Sequence, residues 1–381
     1  MRVGIVGCGY VSAMYCASLQ RHPEVEVACV YDRVEERAQA MSQLTSARRC
    51  SSLDELLEDD VEVVVNLTNP ANHYEVTRYC LDAGKHVYTE KPVAMELERA
   101  KELVDLAESR ALQITSAPCT LLNSPAQTAW HAIDNRVVGP IRLVYAEMDG
   151  GMVHRMPVHR WVNAMGVPWP YRDEFETGCT IEHAGYVLTW LAAYFGPAER
   201  ISAFSTCIVP DKIPDETVDS APDYSVANIN FRSGIVARLT CSLYPPADLT
   251  IRMFGDDGVV TIENSRSDRS RVFTQRYKTI RRKRFLSPLR SRCPRAEGFG
   301  PKTTPRGAKH RDFCRGIGEL INAIETHRMP YMTAQFCLHV NEMTLAIHNA
   351  LEESTCYHMT TTFQPFGPLS RGRPVPVTTE A

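Results

Sequence analysis

The sequence has no apolar run of membrane-spanning length, no C-x-x-C pair, no large surplus of one charge and no internal repeat. Each absence removes a class of protein. Without about 20 consecutive apolar residues there is no candidate spanning helix. The thirteen cysteines are scattered, so metal-ligand spacings are missing and no metal is expected; the thiols read as small buried side chains of a reducing compartment. A net charge of −3 gives the chain as a whole no pull toward nucleic acid or an anionic surface. No signal-peptide region is read ahead of the first apolar strand, so the cytoplasm is the expected location and no membrane partner is expected. What remains is an ordinary globular composition, 44% hydrophobic and 23% charged, in a chain of 381 residues that is too long for one core.

The stretch from Met1 to Asp32 organises the rest. Val3, Ile5 and Val6 form an apolar strand that breaks at Gly7-Cys8-Gly9-Tyr10-Val11-Ser12 and runs on into a helical pattern. A second strand, Val27 to Tyr31, ends on Asp32. Strand, glycine turn, helix, strand and acid in that order predict a dinucleotide-binding βαβ unit. Gly7 permits the tight turn, Gly9 admits a pyrophosphate against the backbone, and the amides of Cys8 to Val11 open a helix whose N-terminus favours negative charge. Asp32 can accept hydrogen bonds from ribose hydroxyls and disfavours a 2′-phosphate, so NAD is expected. Arg33 softens that preference and leaves NADP as the alternative.

Strands and helices then alternate. Val61 to Leu67 reads as a parallel strand covered on both faces, stopping at Thr68-Asn69-Pro70. His73 opens a helix that ends near Gly84. Lys85 to Thr89 is the next strand, followed by Glu90-Lys91-Pro92. Ligands of open parallel sheets bind at the carboxyl ends of the strands, which is where Gly7, Asp32, Thr68, Asn69, His73, Glu90 and Lys91 fall.

Glu90-Lys91-Pro92, taken with the glycine turn and Thr68-Asn69-Pro70 followed by His73, resembles the glucose–fructose oxidoreductase / inositol dehydrogenase / rhizopine catabolism family over roughly Met1 to Leu351. The resemblance implies an N-terminal Rossmann domain, a doubly wound parallel sheet over residues 1–122. It also implies a C-terminal α+β domain over 123–352 with an open, mainly antiparallel sheet that packs against a second subunit in a homo-oligomer. Residues 353–381 read as an extended tail. It further implies that Lys91 lies beside nicotinamide and substrate and takes part in catalysis. The family's pocket helix carries Asp-x-Gly-x-His-x-x-Asp, and this chain has Glu182, Ala184, Tyr186 and Thr189 at those positions. Tyr186 stands where the family has His, and its catalytic role competes with that of a buried structural Tyr.

Within the second domain, Met152 to Thr177 has no clean period but holds His154, His159, Trp161, Trp169 and Tyr171. It reads as a substrate-side loop, with aromatic packing as the competing account. Ile181 to Phe195 has helical spacing, with Glu182 and Tyr186 sharing a face one turn apart and His183 about 100° round. About six strands are expected, including the hairpin of Tyr224 to Phe231 with a strand alternating from Ile235 to Leu243. Arg276 to Arg295 carries nine cations and no acid; it reads first as a solvated flexible insertion, then as a contact for an anionic substrate, and last as a nucleic-acid contact.

The function expected is hydride transfer between a nicotinamide and a carbohydrate-like polyol. Lys91 or Tyr186 would move the proton, Glu182 would orient hydroxyls, and His159, Trp161 and His183 would flank the substrate. Two alternatives stay open: a regulator that binds a dinucleotide without turnover, and an enzyme using bound NAD transiently in elimination, hydrolysis or epimerisation.

Overall fold

β1 (Arg2–Val6) is nearly all Val and Ile beyond its first residue, and such a strand is stable only when both faces are covered. In the computed structural model, described over residues 1–213, 219–300, 311–351 and 356–369, it lies inside a six-stranded sheet. The other strands are β2 (Glu26–Tyr31), β3 (Arg48–Arg49), β4 (Val63–Asn66), β5 (His86–Thr89) and β6 (Ile114–Ser116), in the order β3-β2-β1-β4-β5-β6. All pairs are parallel, as the doubly wound expectation requires. Helix ends match local signals. Ser52 caps the helix Leu53–Glu58 by accepting from the Glu55 amide, and Gly84 follows the helix His73–Asp82 with φ +75°.

The chain divides into two units. The first comprises Met1–Cys119, Met156–Thr177 and Asp312–Leu345, and the second Thr120–Arg155, Gly178–Arg311 and Ala346–Ala381. These differ from the sequence-based segments 1–122, 123–352 and 353–381, because periodicity does not tell which sheet a helix covers. The helix Arg315–Glu325 packs on β5 and β6, and its Ile317, Leu320 and Ile321 complete a core with Val3, Ile5, Val63 and Tyr88. Burying such an aliphatic side chain contributes about 1.5–3 kcal/mol. Ahead of that helix, buried Asp312 holds His22 Nε2 through both carboxylate oxygens at 3.0 Å, while His22 Nδ1 meets Glu24 at 2.8 Å.

The second unit holds ten strands among the described residues, more than the six expected. They are β7 (Ile141–Asp149), β8 (Ala198–Thr206), β9 (Tyr224–Phe231), β10 (Val236–Ser242), β11 (Ile251–Gly255), β12 (Gly258–Ile262), β13 (Val272–Ile280), β14 (Lys283–Leu286), β15 (Ser291–Arg292) and β16 (Cys356–His358). They order as β14-β13-β12-β11-β7-β10-β9-β8-β16, with β15 beside β13. All pairs are antiparallel except β7 with β10. Three of the four extra strands, β13, β14 and β15, lie in or run into the basic stretch, which is a β-hairpin with a short added strand and not a flexible insertion: Tyr277, Ile280, Phe285 and Leu286 supply strand-forming side chains between the cations. Another comes from the segment expected to be an extended tail, whose β16 pairs with β8; residues 353–355 and 370–381 of that segment lie outside the described residues. All thirteen cysteines are free thiols, buried except for Cys207 and Cys356. Among the described residues no helix is long and apolar enough to cross a membrane.

Candidate functional site

The first unit gathers its polar groups at the carboxyl ends of β1, β2, β4 and β5. Gly7 has φ +92°, and a Cβ there would lie 2.7 Å from the Leu67 carbonyl carbon, so only glycine makes the turn. At Gly9 a Cβ would meet nothing within 4 Å. Among the described residues, the amides of Gly9, Tyr10 and Val11 have no protein acceptor, and they precede the helix Ser12–Leu19. Open space, spare amides and a helix N-terminus suit a pyrophosphate. Buried Ser12 donates to the Gly9 carbonyl at 2.7 Å, so the small residue at the third glycine position also ties the turn.

Asp32 is held from two sides. Its Oδ2 accepts from the Cys8 amide at 2.7 Å and its Oδ1 from the Val34 amide at 2.8 Å. Each oxygen keeps a second lone pair, enough for ribose hydroxyls. The expectation for Cys8 changes: its amide is taken by Asp32, and its fully buried thiol, with a pKa raised by burial and then by the Asp32 charge, packs inside. Tyr10, Val11 and Asp32 are half-buried and Arg33 is exposed.

Around Lys91 the backbone is clamped repeatedly. The Asn66 side chain accepts from Thr68 Oγ1 at 2.7 Å and donates to Thr77 Oγ1 at 3.1 Å, fixing the end of β4. His73 has no exposed surface; its Nδ1 lies 2.7 Å from the Pro92 carbonyl and its Nε2 2.9 Å from that of Thr68. Two carbonyl partners would suit an imidazolium, yet burial, the leading influence, drives the His73 pKa down, so the neutral ring donates from one nitrogen. His73 thus sits between the Thr68 loop and the Lys91-Pro92 turn, hydrogen-bonded to one of the two carbonyls and packed against the other. Glu90 accepts from Tyr15 Oη at 2.6 Å and from the Lys91 amide at 3.1 Å. Asn341 accepts from the Val93 amide at 2.8 Å and donates to the Ala94 carbonyl at 3.1 Å. The Lys91 side chain emerges half-buried from this fixed turn.

Two residues of the irregular segment, missed in the sequence, join the same crevice. Asn163 Nδ2 donates to the carbonyls of Gly9 at 3.3 Å and Tyr10 at 3.1 Å, while its Oδ1 accepts from the Met165 and Val167 amides. Asp173 accepts from Asn69 Nδ2 at 2.6 Å. Its pKa is raised by burial and then by Glu176, against the opposing pull of Arg33 and Arg37. The segment is therefore a strap across the glycine turn. Trp161 packs against Trp169 at 5.0 Å with the rings tilted by 51°, and Trp169 meets Phe175 edge-on at 6.4 Å. His159 is exposed. His154 instead lies in the second unit, stacked on Tyr244 at 5.7 Å.

In the second unit the pocket helix begins as a π-turn, Thr180–Ala184, before the α-helix Gly185–Phe195. Hydrogen bonds there run i→i+5, so the 100° wheel expected for Glu182 and His183 does not hold. Every residue from Gly185 to Phe195 is buried, so this helix is covered all round. Glu182 is half-buried, and His183 and Tyr186 are buried. The Arg266 guanidinium lies 4.6 Å from the Tyr186 ring centre. Arg311 hydrogen-bonds the Tyr186 hydroxyl, and the Arg311 pKa is lowered by burial and then by neighbouring Arg266. No local pattern announces either arginine, since each comes from a loop far along the chain.

A parallel sheet with this glycine turn and acid defines a dinucleotide-binding α/β protein with an added α+β unit. Residues 1–117 match the model of the GFO/IDH/MocA oxidoreductase family, NAD-binding Rossmann fold, and residues 126–261 match the GFO/IDH/MocA C-terminal domain; the chain belongs to this family. It is 25% identical over 217 residues to an uncharacterized oxidoreductase of Synechocystis sp., covering 56% of each chain. It is 26% identical over 268 residues to the trans-1,2-dihydrobenzene-1,2-diol dehydrogenase of Bos taurus, covering 69% of this chain and 74% of that one. The chain spans about half the length of the first curated relatives it matches. Among solved structures, the WlbA dehydrogenase of Bordetella pertussis in complex with NADH and UDP-GlcNAcA superposes with a TM-score of 0.69 at 19% identity, covering 94% of this chain and 97% of that one.

Proposed function

We propose that the protein transfers hydride between a nicotinamide and a carbinol carbon of a carbohydrate-like polyol, with NAD preferred over NADP. The carrying observation is the convergence of the glycine turn, Asp32, the Thr68-Asn69 loop and Lys91 at one edge of the parallel sheet. Gly9, Tyr10 and Val11 would hold the pyrophosphate, and Asp32 the adenosine ribose. The bound dinucleotide would supply the hydride acceptor. The rest falls to the chain's own side chains. As the carbinol carbon gives up hydride its hydroxyl must lose a proton, and a positioned base near neutral pKa speeds that step about 10²–10⁴-fold. Lys91 is assigned this role or that of orienting the hydroxyl. Its turn, fixed by His73, Glu90 and Asn341, sets where the side chain starts, and taking up the proton would require its neutral amine. Tyr186 is the second proton-carrying candidate, and Glu182 orients substrate hydroxyls. The bound nucleotide sugar of the Bordetella relative supports a sugar-like substrate class. The Asp32 carboxylate at the end of β2 supports NAD, because a 2′-phosphate would meet its negative charge.

The test is Lys91→Met, with turnover followed by reduced-cofactor absorbance against nucleotide sugars, free sugars and inositols, and NAD affinity measured separately. The expected result is a loss of about a hundredfold or more in turnover with NAD affinity held within a few-fold. Unchanged turnover removes Lys91 from the reaction. Product formed by the parent protein without net cofactor change favours transient use of NAD.

A further inference from the structure

The nine cations between Arg276 and Arg295 have no part in the proposed reaction, and the hairpin gives them a definite geometry. All nine are exposed. Among the described residues, only Arg284 of the nine forms an ion pair, with Asp257 at 3.9 Å. The chain overall carries −3, so this unneutralised positive patch stands on a net-acidic remainder.

Strand register sorts the hairpin into two faces. Lys278 lies opposite Phe285 and Ile280 opposite Lys283, so Arg276, Lys278 and Ile280 share a face with Lys283 and Phe285. The other face carries Tyr277, Arg284 and Leu286. It is turned back on the protein, with Arg284 stacked 4.8 Å from the Tyr277 ring centre and bonded to the Asp256 carbonyl. Ile280 is 61% exposed and Phe285 40%, and Leu289 just beyond the hairpin is 73% exposed. Large apolar side chains held out in water between unpaired cations are unfavourable for a free surface. A surface offering both anionic groups and an apolar layer within a few ångströms satisfies both kinds at once.

We infer that the face of β13 and β14 bearing Arg276, Lys278, Ile280, Lys283 and Phe285 docks on an anionic lipid bilayer. A bilayer presents a plane, and one face of the hairpin is free while the other is engaged. A nucleic acid offers phosphates for the cations but no apolar layer for Ile280, Phe285 and Leu289. The chain has no spanning segment among the described residues, so the attachment is peripheral and reversible, and weakens with salt as its charges are screened.

The full-length protein is sedimented with phosphatidylcholine vesicles containing or lacking phosphatidylserine, at low and high salt. Expected is sedimentation that needs phosphatidylserine and fades with salt. The triple change Arg276→Gln, Lys278→Gln and Lys283→Gln is expected to lower partitioning about a hundredfold, about fivefold per cation. The pair Ile280→Ser and Phe285→Ser is expected to lower it at constant charge. Thermal unfolding and NAD titration of each variant confirm that the rest of the molecule is intact. No sedimentation with phosphatidylserine, equal sedimentation with both vesicles, or preferential capture by duplex DNA or RNA in competition with the vesicles each overturns the inference.

Discussion

The glycine-turn crevice and the surroundings of Tyr186 hold their polar groups in opposite ways. In the crevice, side chains are fixed by main-chain atoms: Asp32 by the Cys8 and Val34 amides, His73 by two carbonyls, Asn163 by the carbonyls of the turn itself. Around Tyr186, side chain meets side chain, with one guanidinium over the ring and another on the hydroxyl. Main-chain partners cannot be mutated away and leave little freedom, whereas a side-chain cluster can be re-tuned one residue at a time. The first arrangement suits a cofactor common to a family, the second a substrate that differs between members.

That contrast predicts where substitutions hurt most. Gly7→Ala, forcing a Cβ against the Leu67 backbone at positive φ, is expected to cost about 3 kcal/mol of stability or more and to abolish NAD binding. Thermal unfolding and calorimetric titration with NAD measure both, and a variant that binds normally would break the distinction. Tyr186→Phe is expected to cost only about 1 kcal/mol in stability. It should leave NAD affinity unchanged and lower turnover about a hundredfold; turnover at the parental level would return Tyr186 to a purely structural role. The smallest effect falls outside both regions, at His22. Burial alone pushes its pKa down, but hydrogen bonds and charge from Asp312, then Glu24, outweigh it and leave the pKa raised. A raised histidine pKa adds stability that is full below its unfolded value of about 6.5 and is lost as pH rises through the folded value. Unfolding midpoints are therefore expected to decline across that window in the parent protein and to lie flatter in His22→Gln.

The legible part of the molecule was the part governed by neighbours in sequence. Gly7, Asp32, the Thr68-Asn69-Pro70 stop and the caps at Ser52 and Gly84 each act within a few residues of themselves, so order and spacing reveal them. Cys8 and His73 show the limit even there: the motif marks their positions, but which way they turn depends on partners such as Thr68 and Pro92 that only folding supplies. Arg266, Arg311, Asn163 and Asp173 left no trace because their partners lie far away in the chain. The basic stretch escapes a sequence reading because charge density reads as disorder, while Tyr277, Thr279, Ile280 and Phe285 between the cations still meet the demands of a strand.

The first unit's sheet is complete by Ser116, yet the helix that closes one side of it, Arg315–Glu325, comes from the last quarter of the chain. During synthesis, Val3, Ile5 and Tyr88 have no Ile317, Leu320 or Ile321 to rest against until that distant helix has been made. A fragment cut after Leu122 would carry every cofactor residue of the fingerprint and still display a bare apolar flank, prone to clumping. For this protein the ligand-binding half cannot be had by scissors; it is finished only by a helix that lies far along its own chain.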